Sequence, residues 1–422
     1  MTAPARPRVV IIGGGFGGLN AAKALHHAPV DVLLIDRRNH HVFQPLLYQV
    51  ATAALSPGDI ASPIRWILRH QPNVEVWLAE ATKIDLDHRT VVLSDGQVTY
   101  DYLIVSAGSG HAYFGHDEWQ PHAPGLKTLE DALDIRRRVL LAFEKAERER
   151  DRAQQRRLLT FVVVGGGPTG VELAGALAEI SRHALAHDFR AIHPETARII
   201  LVEGGPHVLP TYPETLSAFA RRALERLGVA VWTEKLVTKV EAGKVYMGEE
   251  MIETGTVLWA AGVSAAAVGR TLGAPTDRVG RVIVNDDLTL PGHPEVYVVG
   301  DLAVSKGADG QPLPGVAQVA IQGGAHAAKN IARTLAGQPH EPFAYRNLGN
   351  LATIGRNVAV SDLPYGRMTG YPAWLFWLFV HIFNLIGFRN RLSVMTQWAF
   401  SYLTYQRSVR LITREDPWRS HP

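Results

Sequence analysis

A chain of 422 residues is too long for one ordinary core, so two or three domains are expected. A net charge of +3, with 46% hydrophobic and 20% charged residues, is ordinary for a globular protein and calls for no nucleic-acid partner. The absence of cysteine excludes thiol catalysis, dithiol relays, disulfides and cysteine-ligated metals together.

In chain order, "MTAPARPRVVIIGGG" enters a strand at once, with no hydrophobic segment ending in a small-residue cleavage site, which predicts a cytoplasmic chain. The run "RVVIIGGGFGG" carries Gly13-x-Gly15-x-x-Gly18, with Phe16 and Gly17 inside the loop, and a predicted helix "LNAAKALHH" follows. The first glycine makes the tight turn, the second admits a pyrophosphate to the backbone, and the third lets helix and strand pack closely. Free N–H groups at the helix N-terminus then face the phosphates. The next strand, "VDVLLID", ends at Asp36, placed to accept hydrogen bonds from ribose hydroxyls, with Arg37 after it.

"TYDYLIVSAGS" (99–109) is a strand ending in small residues, Ala107 and Gly108, that let backbone lie against a bound group. The charged run 144–157, "EKAERERDRAQQRR", reads as a solvated connecting helix. The glycine pattern then recurs in "LLTFVVVGGGPTGVELAGALAEI", with Gly165, Gly167, Thr169 and Gly170 at the turn. Strand "ARIILVE" ends at Glu203, an acid that suits a free 2′-hydroxyl and repels a 2′-phosphate, favouring NADH over NADPH. "GTVLWAAGV" (255–263) repeats the small-residue strand with Ala261 and Gly262. "EVYVVGDLA" (295–303) ends in Gly300 and Asp301. Two complete dinucleotide motifs predict two bound nucleotides.

"AQVAIQGG" (317–324) opens a helix that Gly337 stops. It puts Gln318 and Gln322 on one face, where helix capping or buried hydrogen bonding would each account for them. Glu172, in "GVELAG", reads as an acid in the first turn of a helix, where the dipole favours it. The eighteen histidines show no metal spacing, so no metal site is expected; His26, His27, His40, His41 and His111 read as surface or loop residues. At the C-terminus, "GYPAWLFWLFVHIFNLIGF" (370–388) is aromatic and uncharged but contains His381, Asn384 and a proline, short of a spanning helix. Arg389 and Arg391 follow. Val394, Trp398, Tyr402 and Tyr405, closed by Arg407 and Arg410, form an interfacial amphipathic pattern.

The whole chain resembles the two-dinucleotide-binding flavoproteins. That likeness implies FAD in the first Rossmann unit, NADH in the second, and Asp301 on the flavin ribitol. The implied fold is α/β: a discontinuous FAD domain over 1–155 and 265–345, an NADH domain over 156–264, and a membrane-associating helical region over 346–422. Disulfide and sulfide–quinone reductases of this group need cysteines, and this chain has none. Through "FQPLLYQVAT" (43–52), "YFGHDEW" (113–119), "GGGPTGVELAG" (165–175), "AQVAIQGG" and "LIGFRNRLSVMTQW" (385–398), the chain is similar to the type II, non-proton-pumping NADH:quinone oxidoreductases. The resemblance implies a monotopic homodimer on the cytoplasmic face of the cell membrane, passing electrons from NADH through FAD to a membrane quinone. It places Ala317, Gln318, Ala320 and Gln322 at the quinone end of the flavin and counts Val319 among the cofactor-binding residues, with Gly323 smaller than the polar residue of many relatives. It gives Glu172 a part in positioning NADH or relaying protons. Two other readings stand beside it: a soluble NADH-dependent flavoprotein reductase, and a non-catalytic NADH-sensing scaffold.

Overall fold

The computed structural model describes residues 6–404 and 409–413. β-Branched runs beside the glycine loops build two separate sheets, one in each of two compact units, parallel except for an antiparallel edge strand in the first. The first unit comprises residues 1–41, 62–110 and 263–348; the second comprises 42–61, 111–262 and 349–422. Residues 42–61 and 111–155, expected with the first nucleotide unit, group with the second. Helix Leu129–Arg148 buries Ile135, Val139 and Phe143, and Phe143 stacks on Phe161 in the second unit's own sheet.

In the first unit six strands run in the order Thr289–Leu290, His293–Val298, Tyr102–Val105, Arg8–Ile12, Asp31–Asp36, Val74–Leu78. Arg8–Ile12 is central and pairs in parallel on both sides. Val9 to Ile12 are all buried, as a parallel sheet covered on both faces requires. Helices Phe16–Ala24 and Ala317–Leu335 meet through a glycine pair: a Cβ on Gly324 would lie 2.0 Å from the Gly17 carbonyl oxygen. The small residues around the glutamines therefore serve helix packing. Gly323 points at Leu288 and Val299 in the core, so its small size bears on packing as well.

In the second unit the order is Val229–Trp232, Arg198–Val202, Thr160–Val164, Thr256–Trp259, all parallel. Helix Pro168–Glu179 lies directly on strand Asn350–Gly355, the first of three antiparallel strands. A Cβ on Gly175 would come within 1.8 Å of the Ile354 carbonyl oxygen. Helices Gly370–Asn384 and Phe388–Thr404 complete this unit. Asp59, buried, fastens the second of them, accepting hydrogen bonds from Ser393 Oγ (2.8 Å) and Gln397 Nε2 (3.0 Å).

The charged run is two helices, Leu129–Arg148 and Arg152–Leu158. Glu149 and Asp151 break it because their carboxylates accept nearby backbone N–H groups, the competition with helix that acidic side chains offer. The tail also departs from expectation. Val394 is fully buried and the Trp398 indole N–H donates to Gln49 Oε1 at 2.7 Å, so these two residues of the stripe face the protein. Arg410 is likewise engaged internally, with Asp188 and the Ala184 carbonyl. The side chain of Tyr402, and Tyr405 and Arg407, lie outside the described residues. Exposed apolar residues lie on both tail helices: Tyr371, Leu375, Phe379 and Phe383, every fourth residue of the first, whose buried side is Ala373, Trp377 and His381, and Leu392, Met395 and Phe400 of the second. Among the described residues, no helix is long and apolar enough to cross a membrane.

Candidate functional site

The two glycine loops are geometric copies. Gly13 and Gly165 turn the chain at φ +98° and +104°, and each donates its N–H to the adjacent strand, Gly13 to Ile35 and Gly165 to Val202, both at 2.8 Å. A Cβ on Gly18 would lie 1.9 Å from the Gly13 carbonyl oxygen, and one on Gly170 lies 1.8 Å from that of Gly165. Nothing stands within 4 Å of a Cβ on Gly15 or Gly167, the positions where a pyrophosphate approaches the backbone. Both helix N-termini lack a side-chain cap, so their N–H groups remain available to an anion. These residues fit a dinucleotide in each unit.

Each strand-end acid is fixed by its loop. Asp36 accepts from the N–H groups of Gly14 (2.6 Å) and Arg38 (2.7 Å); Glu203 accepts from those of Gly166 (2.5 Å) and Gly205 (2.6 Å). A carboxylate oxygen has a second lone pair, so both acids can still accept from a ribose hydroxyl. Arg37 points to the surface, 3.5 Å from Glu80, and Thr169 is exposed. In the first unit Ser109 Oγ donates to Asp301 at 2.8 Å, beside Gly108 and Gly300, both at positive φ. Ala107 and Gly108 are half-buried, as are Ala317 and Gln318, whereas Val319 is buried. Gln322 exchanges two hydrogen bonds with the Arg346 backbone, accepting at 2.9 Å and donating at 3.0 Å, which fixes its amide plane. Ala261 and Gly262 follow the Thr256–Trp259 strand end against Gly165.

His41 corrects the reading of a surface histidine. It is buried, and burial lowers its pKa to about 4, so the ring is neutral near pH 7. Its Nδ1 lies 3.0 Å from the Gly14 carbonyl oxygen, which can only accept, so this nitrogen carries the hydrogen. His41 thus holds the first glycine loop from beneath. His111 is half-buried and paired with Asp131 at 3.1 Å.

Glu172 lies beyond the first helical turn, which holds no acid, so a helix dipole does not account for it. It lines a cavity of about 110 Å³ within the second unit, together with Tyr48, Gln49, Trp374, Trp377 and Trp398. Glu172 is half-buried because the cavity reaches its side chain, while protein atoms crowd its carboxyl elsewhere. Burial pushes that carboxyl up to about 8, outweighing a hydrogen bond from the Thr353 N–H that favours the anion. At neutral pH it is therefore a carboxylic acid able to donate. A polar chain closes one wall: Trp398 donates to Gln49, and Gln49 Nε2 donates to Tyr48 OH at 2.9 Å. Trp377 is buried, and its indole N–H has no hydrogen-bond partner among the described residues.

Sequence reasoning missed Ser109, His41, Tyr48, Gln49 and Trp377 as site residues. Tyr48 and Gln49 lie inside a quoted motif, and their polarity within an apolar run was the available signal. Nothing local in the sequence marked His41.

Residues 7–324 match the pyridine nucleotide-disulphide oxidoreductase family, and residues 347–406 match the NDH2 C-terminal domain. The type II NADH:quinone oxidoreductases NdhA and Ndh of Mycobacterium tuberculosis are 46% and 45% identical to this chain, covering 97% of it and 90% and 91% of their own lengths. The structure of NDH2 from Plasmodium falciparum in complex with NADH shares the fold, with a TM-score of 0.88 at 21% identity over 97% of this chain and 100% of that one. With near-complete coverage at this identity, and with both its nucleotide-binding and C-terminal regions matched, the chain belongs to the type II NADH:quinone oxidoreductases.

Proposed function

We propose that this chain catalyses NADH + H⁺ + quinone → NAD⁺ + quinol without pumping protons, with FAD carrying the electrons. The flavin, when bound, supplies the hydride acceptor and the electron store. The first unit is assigned to FAD: Gly13, Gly15 and Gly18 for its pyrophosphate, Asp36 for a ribose, Asp301 for the ribitol. NADH is assigned to the second loop, with Glu203 on the adenosine ribose.

One observation carries the quinone assignment. The second-unit cavity has aromatic walls, Trp374, Trp377 and Trp398, and a hydrogen-bond donor among them, the protonated Glu172. A buried carboxylic acid is stabilised by an acceptor, and a quinone carbonyl supplies one. Glu172 can then give a proton as the carbonyl becomes a phenol. Gln318 and Gln322, in the first unit, are proposed to line the quinone end of the flavin, since an amide serves both the oxidised and reduced forms. The exposed apolar row of the first tail helix is proposed to rest on the cytoplasmic face of the membrane, in a homodimer, where a lipid-dissolved quinone is at hand.

Gln318→Ala should slow reoxidation of reduced flavin by quinone about tenfold, the worth of one buried hydrogen bond. Reduction of the flavin by NADH should be unchanged. Rapid-mixing absorbance on the two half-reactions separates these effects, and an equal loss in both would refute the assignment.

A further inference from the structure

Phe114 stands in a costly backbone conformation at the end of the second nucleotide sheet. Its φ is +55°, a region that bulky side chains rarely enter. Burial does not compensate, because the side chain is 67% exposed. Its neighbours fix it firmly. Tyr113 is buried and its OH donates to the Ala123 carbonyl at 2.8 Å, while the Trp259 N–H donates to the Ala112 carbonyl at 2.9 Å. The Phe114 ring lies over Gly262, where a Cβ would meet its Cζ at 2.5 Å. Strain of this kind, maintained by surrounding structure, points to use.

Topology says which use. The chain steps from Thr160–Val164 to Arg198–Val202 on one side, and places Thr256–Trp259 on the other. The strand order reverses at Thr160–Val164, and a dinucleotide binds across the carboxyl ends at such a point. Glu203, on the Arg198–Val202 side, takes the adenosine ribose. The other half of the dinucleotide must therefore run toward Trp259 and Gly262, where Phe114 presents its ring. An exposed aromatic face there matches a flat heteroaromatic ring, which stacks on it without needing hydrogen bonds.

We propose that Phe114 is a binding residue for the nicotinamide riboside half of NADH, its ring packed against that end of the dinucleotide above Gly262. This rests on the assignment of NADH to the second glycine loop. Titration calorimetry on the flavin-loaded enzyme tests it, with NAD⁺ as one probe and ADP, which lacks the nicotinamide half, as the other. Phe114→Gly should weaken NAD⁺ about tenfold and leave ADP within about twofold. Because glycine accepts the positive φ, the same variant should melt no lower than wild type, an outcome a merely structural role does not give. Phe114→Tyr should restore NAD⁺ binding. Unchanged NAD⁺ affinity, or equal weakening of ADP, overturns the proposal. Glu203→Ala should weaken both probes; if it weakens neither, the assignment of NADH to this loop fails by itself.

Discussion

A Gly18→Ala enzyme should purify almost free of flavin and melt well below wild type. The added methyl would sit 1.9 Å from the Gly13 carbonyl oxygen and 3.0 Å from Ile11 Cγ2, so helix and strand must part at the turn. Overpacking against backbone cannot be relieved by a rotamer change, and about 3 kcal/mol or more is expected. Gly15→Ala is the informative contrast. Its methyl meets no protein atom within 4 Å, and φ at this position is −70°, which alanine adopts without strain. The flavin-free Gly15→Ala protein should therefore melt like flavin-free wild type, yet bind FAD at least about tenfold more weakly, because the methyl occupies the pyrophosphate's approach. Flavin-to-protein absorbance ratio and melting temperature together read both variants. If Gly15→Ala retains flavin as tightly as wild type, the loop does not hold FAD.

Replacing Glu172 by glutamine should remove a pH dependence from both stability and quinone reduction. The folded carboxyl titrates near 8, against an ordinary value of 4.5. Below pH 4.5 it is protonated folded or unfolded, and its burial carries no ionic penalty. Between 4.5 and 8 the unfolded chain releases the proton while the folded chain keeps it, so stability falls as pH rises and levels off above 8. The full loss is at most about 5 kcal/mol. Relative to wild type, Glu172→Gln should thus be more stable at pH 9 than at pH 5, as urea unfolding at the two values will show. The same group makes quinone reduction in the wild type decline above about pH 8, where the proton donor is lost. Glu172→Gln should be slower at neutral pH and flat across that range. Parallel pH profiles in the two enzymes would remove Glu172 from the proton path.

The Rossmann halves were legible because their signals are local. A β-branched run, glycines at fixed spacing and a terminal acid lie within one stretch of chain, and the geometry of Gly13, Gly18 and Asp36 follows from it. The cavity around Glu172 was not legible in the same way. Its walls come from residues near 50, 172, 353, 377 and 398, and no spacing rule joins them. The Val394–Trp398 stripe shows why an amphipathic pattern alone misleads. Periodicity identifies one apolar face but not what covers it, and here Gln49 and Asp59 turn that face inward. His41 is the converse case, a polar side chain next to a second histidine in a polar-looking stretch, buried because the Gly14 carbonyl gives it a partner. In the glutamine helix, Gly324 and Ala320 are small because Gly17 and Gly300 pack on them, which no spacing of the glutamines announces.

Rapid mixing of the purified enzyme gives the most direct test of electron passage from nicotinamide through flavin to quinone. Anaerobic NADH should bleach the flavin absorbance, and a short-tailed quinone added next should restore it at a rate no slower than steady-state turnover. Flavin that stays bleached in the presence of quinone, or recovers more slowly than the enzyme turns over, would contradict that route.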